Sequence, residues 1–225
     1  MEKGSWEKLV DNLVREGILR SPKVINAMRA LSRANFLPEN MQPYASDDTP
    51  LPIGFGQTVS APHMVSIMNE ALLLEIGHNV LEVGAGSGWH AATIAEIIAP
   101  HDAPRSNWGH VYTVEVVQGL ADFARKTIMK AGYGDRITIV SGDGSMGYAE
   151  KAPYDRVLVT AAAPSIPEPL LEQLKPGGIM LIPVGSASLF QNLIKISKGS
   201  NGKIKEENLG GVAFVPLTGR YGHQF

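Results

Sequence analysis

Hydrophobic residues follow two alternating rhythms along this chain: short apolar runs rich in β-branched residues, and longer stretches with apolar positions three and four apart. The runs at 80–83, 111–115 (VYTVE), 137–141 (ITIVS), 156–160 (RVLVT) and 179–184 (IMLIPV) predict strands. Residues 89–98, 118–131 and 167–174 predict helices, with Gly132 placed to end the second and Pro176-Gly177-Gly178 a turn after the third. Strands alternating with helices predict an α/β fold with a doubly wound, mostly parallel sheet. Two further helices, over 6–15 and 22–31, precede it. Later strands are expected at 193–197 and 212–215, with a hairpin or loop over the polar segment 198–208. The segment 100–109, with two prolines, an asparagine and a glycine, reads as a surface loop.

The most informative stretch is VLEVGAGSGWHA, residues 80–91, a strand running into a glycine turn that opens a helix. Gly84, Gly86 and Gly88 permit a sharp turn and close approach of backbone to a ligand, with Ala85 and Ser87 between them; a bland tight turn is the competing reading. The spacing is G-x-G-x-G, and Trp89 stands where a dinucleotide fingerprint has its third glycine. Glu82 just before the turn repels a pyrophosphate but attracts a cation or amino group, and S-adenosylmethionine carries both. Glu115 closes the next strand, where an acid commonly accepts hydrogen bonds from ribose hydroxyls. Asp143, between Gly142 and Gly144 after a strand, suits either an adenine amino group or a local Asx turn. The run TAAAP at 160–164 places small residues where backbone or substrate passes closely. It lacks the Asn-Pro-Pro-Tyr type of motif used to methylate exocyclic base amines.

Composition narrows the choices further. A chain of 225 residues with 44% hydrophobic content suits one domain over 1–225, with N-terminal helices and a substrate or cofactor loop in 1–60 and the α/β core in 61–225. A net charge of −2, with no dense basic run, argues against a nucleic-acid surface. There is no cysteine, hence no disulfide or thiolate metal site, and no metal is expected. The charged, amphipathic N-terminus predicts neither a signal peptide nor a membrane span, so a cytoplasmic protein is expected.

GQTVSAPHM at 56–64, the glycine segment, GDGSMGYAEKAPYD at 142–155, TAAAP, LKPGGIMLIPVG at 174–185 and VAFVPL at 212–217 occur in order over nearly the whole chain. Together they resemble the protein-L-isoaspartate(D-aspartate) O-methyltransferase family, with GQTVSAPHM the specific element. The resemblance implies a Rossmann-like class I fold and methyl transfer from S-adenosyl-L-methionine to the free α-carboxylate of L-isoaspartyl residues in damaged proteins and peptides. S-adenosyl-L-homocysteine is then the product, and the ester collapses to a succinimide on the way back to aspartate. It also implies Ser60 as the active-site residue, with Gln57, Thr58 and Val59 closing over the cofactor. Pro52, Ile53 and Gly54 would form a substrate-facing wall, and Thr218 would reach the site.

From the residues alone, Ser60 is also a good N-cap for a helix with Pro62 in its first turn. Both roles are compatible, because capping uses the hydroxyl as acceptor and leaves its proton free. His63 reads as a first-turn helix residue, His90 as helix surface or packing near the cofactor, and Trp89 as a core aromatic. A carboxylate is already ionised at neutral pH, so such an enzyme needs no general base; alignment in a water-poor pocket contributes ~7–11 kcal/mol. Two other classes remain open: a methyltransferase of a small molecule or RNA, and a non-catalytic binding module. The 100–109 insertion and the short C-terminus leave oligomeric state open.

Overall fold

The computed structural model describes residues 3–188 and 190–224. Met1, Glu2 and Phe225, which bound the expected domain, lie outside the described residues. Two amphipathic helices come first, α1 (Lys3–Arg15) and α2 (Pro22–Ala30), followed by a small antiparallel hairpin, β1 (Leu51–Gly54) and β2 (Gln57–Val59). Phe55 and Gly56 at its tip both have positive φ, as a two-residue type I′ turn demands. Gln57, Thr58 and Val59 are thus strand residues rather than the loop expected. Next come α3 (Pro62–Leu72), β3 (Asn79–Val83), α4 (Trp89–Ile98), β4 (His110–Glu115), α5 (Gln118–Lys130), β5 (Ile137–Ser141) and β6 (Tyr154–Val159). The chain continues through α6 (Glu168–Gln173), β7 (Leu174–Gly185), β8 (Gln191–Lys198) and β9 (Ile204–Val212).

Seven strands form one sheet in the order β5-β4-β3-β6-β7-β8-β9, parallel as far as β7 and antiparallel at β8 and β9. Neighbours alternate by face along each strand. Val80 and Leu158 join the apolar cluster shared with α1 to α5, while Leu81, Val157 and Val159 join a second cluster with Leu170 of α6. Helices therefore cover both faces, as the alternating pattern predicted. Strand order reverses between β3 and β6, and this is where an open α/β sheet leaves a crevice at its carboxyl ends.

Three sequence expectations are corrected. The last strand is 204–212, not 212–215, so the polar segment 198–208 is a hairpin whose turn is 199–203 and whose second arm begins at Ile204. It is an edge strand, exposed from Lys205 to Gly211, and with neither face buried it shows no alternation to read. β7 begins at Leu174, so Pro176-Gly177-Gly178 lies within it as an irregularity between the Tyr154–Leu174 and Arg156–Ile179 pairings. Ala61, not Ser60, is the N-cap of α3, and no side chain bonds there from the cap position. The Asp48 carboxylate, from far upstream, accepts the His63 N–H instead at 2.9 Å.

The 100–109 segment is a surface loop with one short helical turn, pinned where Trp108 Nε1 donates to the carbonyls of Pro100 and Ala103, both at 3.0 Å. Trp89 is fully buried; its Nε1 donates to the Leu31 carbonyl at 3.0 Å and it meets Trp6 edge to face. That is a core aromatic, as read.

Candidate active site

At the end of β3 the chain turns through Gly84, Gly86 and Gly88, with φ of 97°, 53° and 82°. These are conformations that L side chains rarely adopt. Gly84 N–H donates to the Val114 carbonyl of β4 at 2.8 Å, and Thr160 N–H, just past β6, donates to the Val83 carbonyl at 3.0 Å. The turn is therefore stitched to both neighbouring strands. Thr160 Oγ1 donates back to the carbonyls of Val83 (3.0 Å) and Gly84 (2.8 Å). A Cβ on Gly84 would stand 2.3 Å from that oxygen. The backbone is bare because there is no room for it to be otherwise.

Above this turn lies a cavity of about 200 Å³. Gly84, Ala85, Gly86 and Ser87 form its floor, Glu115 and Gly144 one side, and Gln57, Thr58, Val59 and Ser60 the roof, with Thr218 at the rim. The apolar residues Val116, Val117 and Leu120 also line it. Glu115 is held rigidly, since Oε2 accepts Gly86 N–H at 2.9 Å and Oε1 accepts Val117 N–H at 3.0 Å. Each oxygen keeps a lone pair, which suits hydroxyl donors such as those of a ribose. The Ser87 hydroxyl is buried without a hydrogen-bond partner among the described residues.

The other acids are placed differently. Glu82 is fully buried and is not part of the cavity wall; Thr113 Oγ1 donates to its Oε2 at 2.5 Å, and its Oε1 has no partner among the described residues. Burial, aided by the negative charge of Glu115, pushes its carboxyl up to about 8 against the hydrogen bond from Thr113. Its carboxyl therefore favours the protonated form in this structure. Asp143 also stands off the wall. Its Oδ1 accepts the N–H (2.9 Å) and hydroxyl (2.6 Å) of Ser145, and its Oδ2 accepts Arg220 N–H at 2.8 Å. These contacts form the local Asx turn, and the carboxylate also tethers the C-terminal segment.

Pro52, Ile53 and Gly54 do not line the cavity either. They form β1 of the hairpin, and Ile53 is buried behind the glycine turn, 3.4 Å from where a Gly86 Cβ would be. His90 does reach the cavity wall. Burial drives its imidazole down to about 3, so it is neutral. Its Nε2 faces Asn69 Oδ1 at 3.1 Å, and since a carbonyl oxygen only accepts, the proton sits on Nε2 and leaves Nδ1 without a partner among the described residues. His63 is bonded to Asp48 through both its N–H and Nδ1 and serves the first turn of α3.

A second cavity, of about 310 Å³, lies beside the first. Its walls include His63, Met64, Phe190 and Phe214, and Phe190 is 84% exposed. The two cavities share Thr58, Ser60, Thr160 and Val215. Ser60 is half-buried at that junction, and its hydroxyl bonds to no described residue; only its carbonyl is used, accepting from Arg33. The apolar wall at 116–120 and the dual role of Thr160 escaped the sequence reading. A strand-end acid followed by Val116-Val117 was the available signal, since that is where a base or sugar meets apolar surface.

The family described as Protein-L-isoaspartate(D-aspartate) O-methyltransferase matches residues 4–222. Relatives named Protein-L-isoaspartate O-methyltransferase include one from Hyperthermus butylicus, 56% identical and covering 96% of this chain and 89% of its own. Another, from Thermococcus sibiricus, is 54% identical and covers 96% and 95%. Among solved structures, a Plasmodium falciparum chain described as such a methyltransferase in complex with S-adenosyl-L-homocysteine aligns with a TM-score of 0.82. It is 28% identical and covers 95% of this chain and 98% of its own.

Proposed function

The chain belongs to the protein-L-isoaspartate(D-aspartate) O-methyltransferase family, and from that membership we propose that Ser60 marks the point where methyl donor and isoaspartyl acceptor meet. The enzyme transfers a methyl group from S-adenosyl-L-methionine to the free α-carboxylate of L-isoaspartyl residues in damaged proteins, opening the succinimide route back to aspartate. The observation that carries the placement is the junction of the two cavities at Thr58, Ser60, Thr160 and Val215.

The residues present fit the donor. The positive-φ glycine floor leaves no Cβ in the way, the orphaned Ser87 hydroxyl offers a polar contact, and Glu115 stands ready for hydroxyls. Bound there, S-adenosylmethionine supplies an electrophilic methyl on a sulfonium. The protein's part is to hold and align: the glycine floor and Glu115 would hold the donor, and Val117 and Leu120 would give it apolar surface. Ser60 Oγ, unspent on the protein, donates its proton to the acceptor carboxylate. No residue has to remove a proton, because the attacking oxygen is already anionic. Gln57, Val59 and Thr218 line the donor side alone, while Thr58 stands where the donor and substrate sides approach each other.

The same reading treats 1–225 as one working domain, supported by an apolar cluster that runs unbroken from Trp6 of α1 to Val212 of β9. It places the activity in the cytoplasm, on protein partners rather than nucleic acid or membrane, in keeping with a net charge of −2. No helix of the described residues is long and apolar enough to cross a membrane. The test is incubation with methyl-labelled S-adenosylmethionine and a peptide pair that differs only in isoaspartyl against aspartyl. A base-labile ester on the isoaspartyl peptide alone is the expected result; label on neither, or on both equally, overturns the reading.

A further inference from the structure

Arg33 lies in the unremarkable sequence SRANF, between α2 and the hairpin, and its side chain is completely buried. A guanidinium has five N–H bonds and no acceptor. All five find backbone carbonyls here. Nε donates to Ala45 (3.2 Å), Nη1 to Thr49 (2.8 Å) and Ser60 (3.2 Å), and Nη2 to Tyr44 (3.4 Å) and Asp47 (2.6 Å). Trp89 packs against the guanidinium, 5.8 Å from ring centre to Cζ.

Four of those carbonyls belong to one irregular turn, 44–49, and the fifth belongs to Ser60 itself. The same turn carries Asp48, whose Oδ1 accepts the N–H and faces the Nδ1 of His63, in the first turn of α3. Ser60 therefore stands between two tethers from one segment: Arg33 on its own carbonyl, and Asp48 on the helix that begins directly after it. We propose that Arg33 is a positioning residue for methyl acceptance, fixing the Ser60 backbone so that its free hydroxyl meets the substrate carboxylate. This rests on the reading of Ser60 given above. Burying a cation without a bonded carboxylate is expensive, and stability alone gives little reason to do it. The planar fork fits a geometric task that no other side chain can perform, since lysine offers three donors from one point.

The test compares Arg33→Lys, Arg33→Ala, Ser60→Ala and the double variant Arg33→Lys/Ser60→Ala, each at a temperature where circular dichroism shows it folded. Misplacement of an aligning group by an ångström costs ~100-fold, so Arg33→Lys should lose up to about that much in kcat/KM for an isoaspartyl peptide, and no more than Ser60→Ala loses. Calorimetric affinity for S-adenosylhomocysteine should hold within about threefold, because Arg33 touches no part of the glycine floor. The double variant should be no worse than Ser60→Ala, and guanidinium ion should restore part of the activity of Arg33→Ala but none of that of Ser60→Ala. Arg33→Lys keeps the charge and the stem, so it decides the matter if Arg33→Ala does not fold. Wild-type kcat/KM in Arg33→Lys beside an impaired Ser60→Ala overturns this inference alone, as does a parallel loss of cofactor affinity or a double variant whose losses multiply. Near-normal turnover by Ser60→Ala overturns the underlying reading instead.

Discussion

Placing a methyl group on Gly84 tests the cofactor floor where it is most tightly built. Gly84→Ala would hold an L side chain at φ +97°, and its Cβ would lie 2.3 Å from Thr160 Oγ1. The backbone strain is worth ~1–3 kcal/mol. The Thr160 side chain must rotate away, giving up its shared hydrogen bond to the carbonyls of Val83 and Gly84, a further ~0.5–1.5 kcal/mol. A loss of ~1.5–4.5 kcal/mol in unfolding free energy is therefore expected by urea titration. Thr160→Ala alone forfeits only the hydrogen bond and the packing of one side chain. Once Thr160 is alanine the clash is gone, so the double variant should cost less than the sum of the singles by ~1 kcal/mol or more. Additivity within ~0.5 kcal/mol would show that the two side chains do not collide, and the argument for a glycine floor would lose its steric basis.

Ser60→Ala should lower turnover of an isoaspartyl peptide by ~10- to 1000-fold while leaving S-adenosylhomocysteine affinity in place, and steady-state kinetics with calorimetry checks both. Glu82 offers a pH test. Burial lifts its carboxyl to about 8 from an ordinary value of 4.5, so between those values the folded chain keeps a proton that the unfolded chain has shed. The group's contribution to stability therefore falls as pH rises from 4.5 to 8. Glu82→Gln, neutral throughout, should gain in Tm on the parent across that window; parallel curves would mean that Glu82 is not held protonated. Asp143→Ala removes the acceptor for Arg220 N–H and for the Ser145 hydroxyl, which itself accepts Tyr221 N–H at 3.0 Å. Amides 220 and 221 should exchange faster by ~10-fold or more, with a raised KM because Leu217 and Thr218 line the cavity. Unchanged protection would separate the Asx turn from the C-terminal segment.

What the sequence disclosed and what it concealed divide along physical lines. Residues 80–98 were legible because glycine at positive φ, a fully buried parallel strand and a capless helix start each leave a local signature, and all three agree. The Asx turn at Asp143 was equally local. By contrast, the N-cap assignment to Ser60 failed because the group that serves α3 is Asp48, in a turn that only the fold brings there. Arg33 was invisible for the same reason, since nothing in SRANF says that five carbonyls from two distant segments converge on it. Glu82 illustrates a finer limit: its place before the glycines is legible, but its complete burial is not, because the fold decides what covers each face of a strand. The edge strand β9 escaped because a strand with both faces wet has no hydrophobic period.

The most direct test of the account is a crystal structure with S-adenosylhomocysteine and an isoaspartyl peptide bound together. The account expects the nucleoside over Gly84–Ser87 with its ribose on Glu115. It expects the peptide in the cavity between His63 and Phe214, with its α-carboxylate on Ser60 Oγ and one oxygen facing the sulfur across the junction. A nucleoside outside the glycine floor, or a peptide carboxylate bound away from Ser60, would contradict it.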